Sequence, residues 1–181
     1  MWNGASRLRD SIRCVLHAEY YWLRSFDIII NWIDIMAFYC DGTLYQYLSN
    51  PRPQGALNIG WLDNNHQFAT GIIDVCLVNN LKSFLGHRVN RTRGYHYCDF
   101  CGVNSISTTV FNNNLIKLGS GELRIVSWSS GAIYAAPDMI IHYIESHHYL
   151  PCDDFISAIQ HDLNYHFKEY VDLIGPPDIL Y

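Results

Sequence analysis

The sequence predicts an α+β domain, and three observations carry that reading. A Cys98-Asp99-Phe100-Cys101-Gly102 turn is followed by an alternating stretch that reads as a β-hairpin. An apolar-periodic segment bearing His142 and His147 comes next. Upstream lie one short strand pattern and one amphipathic helix, so the elements do not alternate as they would in a parallel α/β sheet.

With 181 residues, 49% of them hydrophobic and 16% charged, the chain can bury a sizeable core and does not have the composition of a disordered one. The formal net charge of −5 runs against a general phosphate-backbone binder. One local exception stands out: Lys82, Arg88, Arg91 and Arg93 lie close together, with His87 among them. The six cysteines are Cys14, Cys40, Cys76, Cys98, Cys101 and Cys152. No secretory leader is legible, and the most apolar run, Phe26 to Met36, is too short for a bilayer and carries Asp27, Asn31 and Asp34. A cytoplasmic protein with reduced thiols is therefore expected, without a membrane span.

Residues 1–35 read as an N-terminal extension: either a helix with Ile12, Leu16, Tyr20 and Leu23 on one face, or a stretch outside a native protein that starts at Met36. Residues 36–170 form the expected domain, with the metal module at about 94–148 and a tail at 171–181. Asn50-Pro51-Arg52-Pro53 is a loop by its prolines. Leu57 to Leu62 alternates as a strand and ends at the Asp63-Asn64-Asn65 turn. Asp74 caps a helix with Leu77, Val78, Leu81 and Leu85 on one face and Gly86 as its stop. After the cysteine pair, residues 104–114 read as a Thr- and Asn-rich connector. Glu122 to Trp128 is a strand, Ser129-Ser130-Gly131 a hairpin turn, and Ala132 to Ala135 the returning strand. Pro137 and Asp138 open a helix that runs to about Ser146, and Asp153 or Asp154 caps a last helix through about Phe167.

The chemistry concentrates in the second half. Two cysteines two residues apart can turn both thiolates on one ion, and Gly102 permits the tight positive-φ turn such a knuckle needs. A CxxC followed by a hairpin and a helix with two histidines is the order of a treble-clef-like or zinc-ribbon-like module. It makes Cys98, Cys101, His142 and His147 the candidate ligands of a structural zinc. On a regular helix His142 and His147 stand about 140° apart, from roughly 100° per residue, so they converge only if the last turn loosens. His148 and His96 compete with His147 for the fourth place, and Cys152 lies close enough in sequence to approach the metal. The redox reading of the pair lacks the βαβ setting it needs. Tyr97, not proline, precedes Cys98, so the nucleobase-deaminase signature is not met.

Several motifs together resemble a family of small bacterial proteins that carry a domain of unknown function. These are Asn58-Ile59-Gly60-Trp61-Leu62, the stretch Thr92 to Cys101, Leu118-Gly119-Ser120-Gly121-Glu122-Leu123-Arg124, and Tyr134 to His147 with Tyr149-Leu150-Pro151. The resemblance runs from about Met36 to Ile159 and implies the pair His142 and His147, not His148. It also implies a start near Met36. Cys152 stands where the family pattern has proline, and no activity comes with the resemblance.

A four-ligand shell leaves no place for substrate, so the expected function is a non-enzymatic module that binds another protein. Two alternatives stand beside it. One is nucleic-acid binding through Lys82, Arg88, Arg91 and Arg93. The other is a zinc hydrolase in which one histidine leaves the shell and Glu145 serves as general base.

Overall fold

The computed structural model describes residues 38–48, 53–102 and 104–177. The chain divides into two units, Met1–Ile35 and Met36–Tyr181, and every described residue belongs to the second. The extension expected at 1–35, the Asn50-Pro51-Arg52 part of the loop and residues 178–181 of the tail lie outside the described residues.

The domain is α+β. Its central sheet has the order β1-β5-β4, with β1 (Leu57–Asn58) parallel to β5 (Ile133–Pro137) and β4 (Glu122–Val126) antiparallel to it. The hairpin turn falls at Ser127 to Gly131, where Gly131 N donates to Ser127 O at 2.7 Å. β1 is shorter than the strand expected at Leu57–Leu62, because Trp61 turns aside to bridge Tyr39 and donates its indole N–H to Ala135 O at 2.9 Å. The Glu-Leu-Arg-Ile-Val alternation of β4 suggests one wet face, yet all five residues are buried. Its polar face is paired internally through one guanidinium nitrogen and both carboxylate oxygens. Arg124 Nη1 donates to Glu122 Oε2 at 2.9 Å, the Tyr45 hydroxyl donates to Glu122 Oε1 at 3.0 Å, and the guanidinium lies 4.8 Å from the Tyr45 ring centroid. Buried charges persist only when paired in this way.

Helix α1 (Val75–Ser83) begins as its sequence dictates, with Asp74 accepting from Cys76 N at 2.7 Å. Val78 and Leu81 enter the core, and a 3₁₀ turn, Phe84–His87, carries Phe84 and Leu85 in after them. The connector expected at 104–114 is mostly a hairpin instead: β2 (Thr108–Phe111) pairs with β3 (Asn114–Lys117). Asn112 and Asn113 both take positive φ, 49° and 61°, the requirement of a two-residue type I′ turn.

Two helix boundaries also depart from expectation. Pro137 ends β5 opposite Glu122 rather than opening a helix, and α2 spans Ile140–His147 with Met139 at its N-cap. Asp138 does not serve the helix. Its carboxylate accepts from Gly119 N at 2.6 Å and from Arg88 Nη1 at 3.1 Å, with no exposed surface. The last expected helix is broken into α3 (Asp153–Ala158), a 3₁₀ turn Leu163–His166 and α4 (Phe167–Ile174). The break has a cause in α1. Asn80 Nδ2 donates to Ile159 O and Gln160 O, and Ser83 Oγ accepts from Leu163 N, so the chain is pinned across α1 before it turns again. Asp154 accepts from Tyr134, Ser130 and Ser127 hydroxyls, which tie α3 to the β4–β5 turn and hold its carboxyl below the usual range. Among the described residues, no helix is long and apolar enough to cross a membrane.

Gly119 closes the loop between β3 and β4 at φ +94°, where His96 N donates to its carbonyl at 2.7 Å. A Cβ there would overlap the His96 carbonyl oxygen. Gly119→Ala therefore combines a left-handed backbone penalty with a backbone clash and should cost at least about 2 kcal/mol. Chemical denaturation measures this; a midpoint equal to the parent's would contradict the placement of this loop.

Candidate metal centre

Cys98 and Cys101 meet His142 and His147 at one point, with one ligand atom from each residue and all four within 4.8 Å of one another. The imidazoles approach through Nε2. His147 Nε2 is 3.2 Å from Cys98 Sγ and 3.4 Å from Cys101 Sγ, while His142 Nε2 is 3.3 Å from Cys101 Sγ. Such a set of two thiols and two imidazoles can hold a metal ion. Cys98 is buried, both histidines are half-buried and Cys101 is exposed, so the group sits at the domain surface with one edge open to water.

Local structure on both sides explains the convergence. The knuckle closes through Cys101 N donating to Cys98 O at 3.3 Å, and Gly102 follows at φ +64°. On the helix side, the angular mismatch between His142 and His147 is removed in the last turn. His148 N and Tyr149 N both donate to Tyr143 O, five and six residues back, and His148 adopts φ +56°. Bonds longer than the α pattern widen the turn, and the two imidazole centroids come to 5.1 Å. Tyr149 then anchors the helix end by donating its hydroxyl to Asp41.

Packing holds the two halves together before any ion is considered. Phe100, between the cysteines, sets its ring 5.7 Å from Tyr143 edge-to-face and 5.3 Å from His147, and Phe68 closes behind it at 5.3 Å. Burial pushes the Cys98 thiol up to about 11, against the lowering effect of the Phe100 and Cys101 backbone N–H groups. Burial also lowers both imidazoles, with His147 adding to the effect on His142 and His148 to that on His147. Burial thus favours the neutral histidines that ligation requires, and a bound cation would favour the Cys98 thiolate against its burial.

The remaining candidates from the sequence are not brought to this point. His96 is fixed through its backbone to Gly119, and His148 is the exposed left-handed cap. Cys152 is exposed and sits 3.9 Å from the Tyr134 hydroxyl, outside the group. None of Cys76, Cys98, Cys101 and Cys152 is in a disulfide. Glu145 is committed elsewhere: Lys82 Nζ lies 2.6 Å from its Oε1, and the Thr109 hydroxyl donates to its Oε2 at 3.0 Å. The basic cluster is likewise divided. Lys82 is buried under that ion pair, Arg88 is spent on Asp138, and the His87 ring packs edge-on against Phe167. Only Arg93 of the four basic residues is well exposed, with Arg91 half-buried.

The sequence reading did not pick out Ser146, whose Oγ is 3.3 Å from His142 Nδ1. With Nε2 facing the sulfurs, Nδ1 is left to pair with that oxygen, a contact that orients the ring. Its i,i+4 spacing from His142 was the available signal, and it is too common on helices to have singled the residue out. His148→Gly should relieve the left-handed cap, raising stability by up to about 1 kcal/mol, and leave metal content unchanged. Loss of bound metal in that variant would make His148 a ligand.

No curated protein and no solved structure matches this chain. Residues 37–160, more than half of the sequence and including all four ligands, match a family described as Domain of unknown function (DUF7919), and the chain belongs to that family.

Proposed function

We propose that Cys98, Cys101, His142 and His147 bind a structural zinc ion, and that the domain is a non-enzymatic module whose partner is another protein. The observation that carries this is the closed donor set. With Zn–S of about 2.3 Å and Zn–N of about 2.0–2.1 Å at tetrahedral angles, sulfur and nitrogen ligands stand about 3.6 Å apart. Three of the four sulfur–nitrogen separations, 3.2 to 3.4 Å, are a few tenths shorter, and all four ligand atoms lie within 4.8 Å of one another, which supports closure of the shell on zinc. Four protein ligands leave no position for water or substrate. Zinc would lock the knuckle onto the end of α2, fixing a contact between segments otherwise joined by Phe100 packing.

Neither alternative reading draws comparable support. A hydrolase needs Glu145 as base, and Lys82 and Thr109 already occupy both of its oxygens. A phosphate-binding strip needs Lys82 and Arg88 at the surface, and both are neutralised inside the domain. Protein binding is favoured by the apolar pair Val110 and Leu115, directly opposed across β2 and β3 and 59% and 70% exposed. The reduced thiols of such a site suit a cytoplasmic setting.

Elemental analysis of the purified chain should find about one zinc per protein, with His142→Ala and His147→Ala losing it and Glu145→Gln keeping it. Structural zinc contributes about 10–16 kcal/mol in small modules, against about 5–15 kcal/mol for a whole domain. Chelation should therefore unfold the knuckle and α2 at least. Acid should act in the same direction. Both histidine pKa values are lowered on folding, so the ligands stay neutral to below the ordinary value near 6.5, and binding is lost as pH falls through the lowered values. Zinc retained by both histidine variants, or a substrate turned over in a Glu145-dependent way, would overturn the proposal.

A further inference from the structure

β2 and β3 form a sheet of their own, and the two edges of that sheet differ. In a two-residue hairpin the closing pair, here Phe111 and Asn114, exchanges hydrogen bonds, and pairs alternate from there. Val110 and Leu115 consequently turn their backbone N–H and C=O groups outward. On the β2 side the edge is covered: Lys82 Nζ donates to Val110 O at 3.3 Å while it pairs with Glu145. On the β3 side Arg88 Nη1 donates to Lys117 O at 3.0 Å, but no strand among the described residues pairs with the outer edge, and Asn114, Leu115 and Lys117 are all exposed. Natural proteins usually guard such an edge with charge, proline or a covering element. Here Lys117 and Arg88 guard one end, and the outward backbone groups of Leu115, in the middle, have no such cover among the described residues.

The charge beside this edge has one sign. Lys117 ends β3, its ammonium 5.5 Å from the Tyr95 ring centroid. Residues 92–96 run alongside the chain that leaves β3, with Thr92 N donating to Ser120 O and His96 N to Gly119 O. Exposed Arg93 belongs to that segment, two residues from Tyr95, over whose ring Lys117 sits. Glu145, bonded to Thr109 on the β2 side, is already paired with Lys82, and the buried carboxylates of Asp138 and Glu122 are paired with Arg88 and Arg124. An open strand edge, an exposed apolar pair and two exposed cations select an extended chain that carries acidic and apolar residues in alternation. Two cations are too few for a nucleic-acid footprint on a chain of net charge −5.

Building on the protein-binding reading, we propose that the outer edge of β3 takes an acidic, extended segment of a partner protein as a third strand. Leu115 would supply the backbone pairing, and Val110 with Leu115 the apolar contact. Lys117 and Arg93 would receive the carboxylates.

The test uses the full, zinc-loaded, isotope-labelled chain and a short capped peptide alternating Glu and Val, with its Lys-for-Glu counterpart and a short oligothymidylate as comparators. Saturable amide shifts centred on Asn114 to Lys117 are expected with the Glu peptide alone. Charge reversal at Arg93→Glu with Lys117→Glu should weaken binding about fivefold or more. Leu115→Pro removes an outward N–H without touching the β2–β3 ladder and should abolish the shifts. If that variant fails to fold, the charge-reversed pair decides, since both residues are exposed. No saturable shift, equal binding of the Lys peptide, tighter binding of the oligothymidylate at the same amides, or self-association through them would each overturn the inference. Zinc content measured on the same sample keeps failure of the metal reading separate from failure of this one.

Discussion

Two histidines five residues apart diverge on a regular α-helix, and the candidate metal centre depends on how the end of α2 undoes that divergence. Tyr143 O accepts from both His148 and Tyr149, which widens the turn and brings the imidazole of His147 beside that of His142. His148 takes the left-handed conformation this requires, although it has a Cβ. The strain is offset on both sides of it. Phe100 packs on the His147 ring, and Tyr149 is buried with its hydroxyl on Asp41. The helix end is thus shaped by its neighbours into a form that two thiols can face.

Around that centre, the domain spends its few charges on internal pairs. Glu122 with Arg124, Asp138 with Arg88, and Glu145 with Lys82 each join separate pieces of chain or fix a buried face. Pairs of this kind add little net stability, because desolvation offsets most of the Coulombic gain. Breaking one by removing a single partner is costly, since a buried charge is then left alone. Their effect here is on register: Asp138 holds the β3–β4 loop against the start of α2, and Glu145 holds β2 and α1 against its middle. A cluster of basic residues in the sequence is therefore mostly an internal framework, with Arg93 left at the surface.

Much of this was legible in the residues. Asp74 as cap, the turn at Ser129-Ser130-Gly131, and the grouping of Cys98 and Cys101 with His142 and His147 follow from local rules that tertiary structure did not override. What failed did so for identifiable reasons. Pro137 and Asp138 look like a helix start, but β5 extends through Pro137 and the Asp138 carboxylate is claimed by Gly119 and Arg88. The last helix has a continuous apolar face, and only its hydrogen bonds to Asn80 and Ser83, distant in sequence, reveal the break. Asn112-Asn113 between apolar and β-branched residues did signal a type I′ hairpin, and composition alone hid it as a connector. The covered polar face of β4 could not be foreseen, because Tyr45 comes from far upstream.

The central claim is a closed four-ligand zinc shell, and X-ray absorption at the zinc edge tests it most directly. The account predicts four-coordinate zinc with two sulfur neighbours at about 2.3 Å and two imidazole nitrogens at about 2.0–2.1 Å. A shell containing a water oxygen in place of one nitrogen would contradict it, as would a protein that takes up no zinc when fully reduced.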